Sequence, residues 1–256
     1  MPLPSSSAAA ALGPTARLIA LARAGDMNAF CALCLHDHLG RPVELAPIHR
    51  VMNAFVDDCW AQSPPLAAGI LAPWRHGKSL LGPIGRTALL IGLNQERRVR
   101  LICADDREAV LRVAAVRRIV STPRYRKIFP RVKQQRGEWL KHQFFLERTS
   151  PGPDPTVAAA GVFNVEAGGG HDFIVVDDVV TYQNAILKPA MRDAVYDTLE
   201  SVWFRRIDPG TKTLYVGTAW HADDASHRLM AQQGGLWRWL IIAVNETFSG
   251  LTCRVI

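Results

Sequence analysis

Long apolar runs are missing from this 256-residue sequence, and nothing in it is apolar and long enough to span a membrane. The start, Met1 to Thr15, is Pro, Ser and Ala with neither a basic segment nor an adequate apolar one, so it reads as a disordered tail and not a secretory signal. Cysteines are few and odd in number: five, at 31, 34, 59, 103 and 253, exclude a disulfide framework and fit a reducing, cytoplasmic compartment. Cys31-Ala-Leu-Cys34-Leu-His36-Asp-His38 superficially offers metal ligands. It lacks the Gly-bearing turn and the second ligand pair of a zinc site, and buried thiols three residues apart on a helix are expected instead. No internal repeat is visible. Acid is absent altogether from Ala109 to Gly137.

That acid-free stretch holds nine bases: Arg112, Arg117, Arg118, Arg124, Arg126, Lys127, Arg131, Lys133 and Arg136. Nine exceeds the net charge of +7 for the whole chain, so the positive field comes from one region. A sequence pI near 9.5 favours a polyanionic partner, nucleic acid or an anionic membrane surface. The basic stretch is either a binding face, with Arg117, Arg118, Arg124 and Arg126 as the DNA-binding candidates, or a solvated helix face and loop. A hydrophobic share of 48% is enough for one large α/β domain with a small appendage.

Residues 16–60 carry apolar side chains at helical spacing, interrupted around Gly40-Arg-Pro42, and predict a small helical N-terminal region. Ala67-Ala-Gly-Ile-Leu71 predicts a buried strand, and Lys78 to Leu93 a helix that Gly82-Pro83 should kink or restart. Val99 to Cys103 predicts a strand and Asp106 to Val120 a helix. Trp139 to Glu147 and Thr156 to Val162 are further strand candidates, separated by the loop from Thr149 to Pro155. Phe173-Ile-Val-Val176 is the clearest buried strand and runs into Asp177-Asp178. A helix is expected from Pro189, with Met191, Val195, Leu199 and Val202 on one face, ending at Asp208-Pro-Gly210. Thr213 to Val216 is the last expected strand, followed by a helix from about Asp223 to Gln233 that stops at Gly234-Gly235. Strands alternating with helices predict an α/β fold, a mostly parallel central sheet flanked by helices, with sites at the carboxyl ends of the strands.

Ala72-Pro-Trp-Arg-His-Gly-Lys-Ser79 matches the phosphate-loop pattern of glycine, four residues and Gly-Lys-Ser/Thr in all but its first glycine. What the chemistry needs is retained. Gly77 lets backbone N–H groups face phosphate, Lys78 supplies an ammonium for the β/γ oxygens, Ser79 a hydroxyl for Mg²⁺, and a helix N-terminus stands behind them. Pro73, Trp74, Arg75, His76, Gly77, Lys78 and Ser79 are thus the nucleotide-binding candidates, a plain strand-to-helix turn being the alternative. Arg75 is sited to meet a γ-phosphate as charge develops, or only to steady the loop. Trp74 and His76 are expected to shape the loop.

Asp177 and Asp178 end the clearest strand, where two adjacent residues can reach one site. Asp177 is assigned to Mg²⁺ through water, and Asp178 to orienting or deprotonating the attacking water. A strand ending in acidic turn formers is the plain alternative. The Gly168-Gly-Gly-His171 loop is a weak signal of a tight connection.

The order of these motifs resembles the ATPase domain of the large terminase subunit of tailed bacteriophages, from about Pro47 to Met230. The resemblance rests on Arg75-His-Gly-Lys-Ser79; on Trp139, Asp154-Pro-Thr156 and Ala160-Gly161; on Asp172 with Asp177-Asp178; and on Gly217-Thr-Ala-Trp-His221 with Asp224. It implies an ASCE-type P-loop NTPase that uses ATP and Mg²⁺ to drive double-stranded DNA into a procapsid. Lys78, Arg75 and Asp178 would be its catalytic residues, Ser79 and Asp177 its metal ligands, and Gly217-Thr218 the γ-phosphate-sensing coupling motif. Asp178 stands where many relatives have glutamate, and Gly169-Gly-His171 where they often have Thr-Gly-Arg. The implied partners are double-stranded DNA, a homo-oligomeric ring on a portal, a small terminase subunit and a nuclease domain or partner, in the host cytoplasm with no membrane. A neighbour's Arg124 or Arg126 is the first candidate to complete each site. The expected division is a tail at 1–15, a helical or lid region at 16–60 and an ATPase core at 61–256, without the nuclease domain of that family. A helicase-like nucleic-acid ATPase and a non-catalytic DNA-binding assembly protein with a degenerate nucleotide site remain alternatives. Pro47-Ile-His49 is a candidate base-side element.

Overall fold

The computed structural model describes residues 13–37, 39–150, 152–165, 169–208, 210–232, 235–244 and 250–256, with only the backbone of 136–138 and 206. Residues 1–12 of the expected tail therefore lie outside the described residues, as do His38, Pro151, Gly168, Pro209, Gln233 and Gly234, and the side chain of Arg136. Three helices come first: α1 (Pro14–Arg23), α2 (Met27–Cys34) and α3 (Pro47–Ala61). Asp26 caps α2 by accepting from the Ala29 N–H at 2.8 Å, and Pro47 opens α3, where its missing N–H is no loss. The core strands are β1 (Ala67–Leu71), β2 (Val99–Cys103), β5 (Val157–Gly161), β6 (Phe173–Asp177), β7 (Lys212–Gly217) and β8 (Trp237–Val244).

These six run parallel in the order β5, β2, β6, β7, β1, β8. Antiparallel β4 (Gln143–Leu146) and β3 (Gln134–Trp139) extend the β5 edge, and β9 (Leu251–Val255) the β8 edge, giving nine strands. Between β1 and β2 the chain forms a π-helical segment, Leu80–Arg86, and then α4 (Thr87–Leu93); after β2 come α5 (Asp106–Val120) and α6 (Pro123–Ile128). On the other face lie α7 (Ala190–Thr198) with its π-helical continuation Leu199–Trp203, and α8 (Ala225–Ala231).

Alternation along each strand builds the two layers. Ala68, Ile70, Leu101, Val175, Leu214 and Val216 face α1 to α6 in one apolar cluster, while Leu71, Ile102, Ile174, Val176, Tyr215 and Trp239 face α7 and α8 in another. Met27, Phe30 and Cys31 of the N-terminal helices belong to the first cluster, so those helices share a core with the sheet. Arg86, 3% exposed, ties the π-helical segment to α3: it pairs with Asp57, donates to the Asn53 carbonyl at 3.2 Å and lies over the Trp60 ring.

Several elements differ from the sequence expectation. Trp139 to Glu147 is two strands and a turn, with Trp139 ending β3 and β4 starting at Gln143. Gly82-Pro83 neither kinks nor restarts a regular α-helix but sits in the wider π-helical turn, which absorbs the missing proline N–H. The sheet also does not end at Val216: β8 and β9 follow.

A cavity of about 610 Å³ lies at the amino ends of β2, β6 and β7. Its charges cancel internally, since Arg98 spans Asp154 and Asp172, and Glu96 accepts from Thr149 and Ser150. His171 lines it, 6% exposed, and burial with the nearby Arg100 holds the imidazole down at about 4. The folded value is thus below the unfolded one of 6.5, so on acidification the unfolded chain takes the proton first. Stability from this group is complete above about 6.5 and is lost as pH falls toward 4. Melting temperatures of the native chain should fall more steeply between pH 7 and pH 5 than those of His171→Gln.

Candidate nucleotide-binding site

Because β6, β7 and β1 are adjacent and parallel, their carboxyl ends deliver three loops to one place. Leu71 is in register with Gly217, and Asp177 with Val216. The loop after β1 carries residues 72–79, β6 ends in Asp177 and Asp178, and Thr218 follows β7. Two hydrogen bonds lock the β1 and β7 ends together: the Ala72 N–H donates to the Gly217 carbonyl at 3.0 Å, and Thr218 Oγ1 donates to the Ala72 carbonyl at 3.3 Å.

Lys78, its side chain 6% exposed, reaches Asp178 Oδ2 at 3.3 Å. Ser79 Oγ donates to Asp177 Oδ1 at 2.9 Å. Asp177 is 1% exposed, and its other oxygen accepts from Arg112 Nε on α5. Burial and the adjacent Asp177 push the Asp178 carboxyl up to about 6, against the downward pull of Lys78. Asp178 Oδ1 is buried without a hydrogen-bond partner among the described residues.

The backbone at this place is unusual. Among the described residues only two non-glycines have left-handed φ, Arg75 at 62° and Asp178 at 45°, and both belong here. Gly77 adds φ 73°, and a Cβ there would meet His49 Nε2 at 3.2 Å. Such conformations are retained where the surroundings impose them, commonly at ligand sites. Left-handed residues at 75 and 77 curve the loop backbone into a form suited to an anion.

The remaining candidates shape the rim. Pro73 is half-buried, Trp74 is 65% exposed with its ring 5.4 Å from Trp220, and His76 Nδ1 lies 2.8 Å from the Trp74 carbonyl. Arg75 is exposed, and its side chain makes no hydrogen bond or ion pair among the described residues. His49, near the start of α3, touches the loop at Gly77. Asp224, fully buried, accepts from Trp220, His221 and Ser226 and so fixes the segment after Thr218. Gly169-Gly-His171 leads into the start of β6, so His171 lies at the far end of that strand from Asp177.

The basic residues part company. Arg117 donates to the Gln143 carbonyl at 2.6 Å and lies against Trp139 and Phe144. Arg124 donates to the Leu33 carbonyl at 3.0 Å beside His36. Arg118 and Arg126 are exposed, with no ion pair among the described residues. Sequence reasoning counted Arg112 in the positive field and missed its contact with Asp177; Glu108 one turn before it, opening the helix after β2, was the available hint.

The donor set fits a magnesium-bound triphosphate. Lys78 and the N–H groups of the loop would hold phosphate oxygens, and Ser79 and Asp177 would hold the metal, which supplies charge neutralisation along the phosphates. Asp177→Asn should lower stability by about 2 kcal/mol, because it leaves the largely buried Arg112 guanidinium with Glu108 alone, whereas Ser79→Ala should cost about 1 kcal/mol. Urea denaturation of both variants checks the order.

The fold is similar to that of the large terminase of bacteriophage HK97, with a TM-score of 0.49 and 14% identity over 84% of this chain and 40% of that one. It is also similar to the ATPase domain of the large terminase of Thermus phage P74-26, with a TM-score of 0.43 and 13% identity over 75% of this chain and 72% of that one. The chain thus spans 40% of the length of the HK97 protein. No family model matches the sequence, and no curated protein matches it.

Proposed function

We propose that this chain is an ATP-hydrolysing motor domain of the large-terminase kind, which binds ATP with Mg²⁺ and uses hydrolysis to move double-stranded DNA. One observation carries this: the β1, β7 and β6 ends meet so that Lys78 and Ser79 stand against Asp178 and Asp177, beside a loop with left-handed backbone at Arg75 and Gly77. Lys78 binds the β/γ oxygens, and Ser79 and Asp177 hold the metal. Asp178, with its carboxyl raised by burial, orients the attacking water and accepts its proton. The exposed Arg75 guanidinium turns to the γ-phosphate as charge develops, and Thr218 passes loss of that phosphate to β7.

DNA lies along the exposed bases of α5 and α6, Arg118 and Arg126 first. Arg117 and Arg124 shape that face through their packing. The working form is a ring of copies on a portal, served by a small subunit and by a nuclease domain or partner, in the host cytoplasm. Among the described residues no helix is long and apolar enough to cross a membrane.

Two measurements test this. Lys78→Ala should lower the ATP hydrolysis rate about a hundredfold or more, as loss of a transition-state contact does. Equal inactivity of the native chain and the variant, with and without double-stranded DNA and at concentrations where rings assemble, would leave a non-catalytic DNA-binding protein. In DNA-binding titrations, Arg118→Glu with Arg126→Glu should weaken affinity and flatten the salt slope by about 2, one for each lost phosphate contact. An unchanged slope returns α5 and α6 to being a solvated face.

A further inference from the structure

Asp177 is already compensated before any metal reaches it. Its side chain is wholly buried; Oδ1 accepts from Ser79 Oγ at 2.9 Å and Oδ2 accepts from Arg112 Nε. Arg112 is no loose surface charge, since its side chain is 19% exposed and Nη1 is held 3.2 Å from Glu108 Oε2, one turn earlier on α5. Lys78, the other cation of the site, is engaged by Asp178. An ionised carboxylate at this depth requires a partner of opposite charge, and Arg112 is that partner.

Under the proposed function, the same carboxylate also draws Mg²⁺. A guanidinium and a divalent ion on one buried carboxylate repel each other, so gain of the ion weakens the arginine contact and the reverse. We propose that Arg112 is the resident counter-ion of Asp177 and competes with Mg²⁺ for it, thereby setting the Mg²⁺ concentration at which the site takes nucleotide. This rests on the assignment of residues 72–79 and 177–178 to Mg²⁺ and ATP. Arg112 is a positioning residue: without metal it holds Asp177 aligned with Ser79. When metal arrives it withdraws toward Glu108, whose carboxylate stays paired with it. No covalent bond changes. The exchange takes place on α5, the helix that also carries Arg118.

Binding of a fluorescent, non-hydrolysable ATP analogue, titrated with Mg²⁺, tests this in the native chain, Arg112→Met and Arg112→Lys. The Mg²⁺ concentration for half-maximal binding should fall about tenfold in Arg112→Met, within the usual range of coupling between two ligands, with Arg112→Lys in between. Melting in EDTA should be lowered in Arg112→Met and should approach the native value at saturating Mg²⁺ and analogue. An unchanged Mg²⁺ midpoint would reduce Arg112 to a structural ion pair. A raised midpoint would make it a holder of nucleotide instead of a competitor, and either result overturns the proposal. If Arg112→Met does not fold in EDTA, Arg112→Lys decides by the same direction of shift. Absence of analogue binding by the native chain at every Mg²⁺ concentration would sink the nucleotide-site assignment itself. That outcome is distinct from a native chain that binds while its variants do not shift.

Discussion

Two carboxylates side by side at the end of a buried strand cannot both be ionised unless each has its own cation. Asp177 and Asp178 impose that condition on everything around them. Arg112 arrives from α5 for the first and Lys78 from the loop after β1 for the second. Asp178 meets Lys78 from a left-handed backbone, at φ 45°. Its Oδ1 remains buried without a hydrogen-bond partner among the described residues, so the compensation is incomplete on the side where a further polar or cationic group would sit.

The strand order makes those meetings possible. Phe173–Asp177 and Ala67–Leu71 are separated by one strand, Lys212–Gly217, and all three run parallel. β1 does not pair with β2, its neighbour in sequence. The crossover from β1 to β2 instead leaves room for β6 and β7, and the site falls at the carboxyl ends where α/β sheets place their ligands. The N-terminal helices complete the arrangement from one face, with His49 against Gly77 and Arg86 anchoring the π-helical segment to α3.

Buried elements were legible in the sequence because their apolar runs have no other use. Val99–Cys103 and Phe173–Asp177 appear almost as the composition drew them, and Asp106–Val120 matches its expected bounds. Edge strands were not legible: Gln134–Trp139 reads Gln-Gln-Arg-Gly-Glu-Trp, polar because only one side of it meets the sheet, and it was absorbed into the basic stretch. Trp237–Val244 was missed despite a strong apolar run, because Gly234-Gly235 ahead of it looked like the end of the ordered pattern. At the site, Lys78 and Ser79 were readable in one local motif, and Asp177 as the end of the clearest apolar run. The Arg112 contact crosses 65 residues of sequence and depends on which face of α5 meets β6, which periodicity alone does not assign.

The most direct test of the central claim is a crystal structure of the chain grown with Mg²⁺ and a non-hydrolysable ATP analogue. The triphosphate should lie on the N–H groups of residues 75–79, with Lys78 moved from Asp178 to phosphate and the metal between Ser79 and Asp177. Nucleotide bound elsewhere, or Lys78 still paired with Asp178 beside a bound nucleotide, would contradict the account.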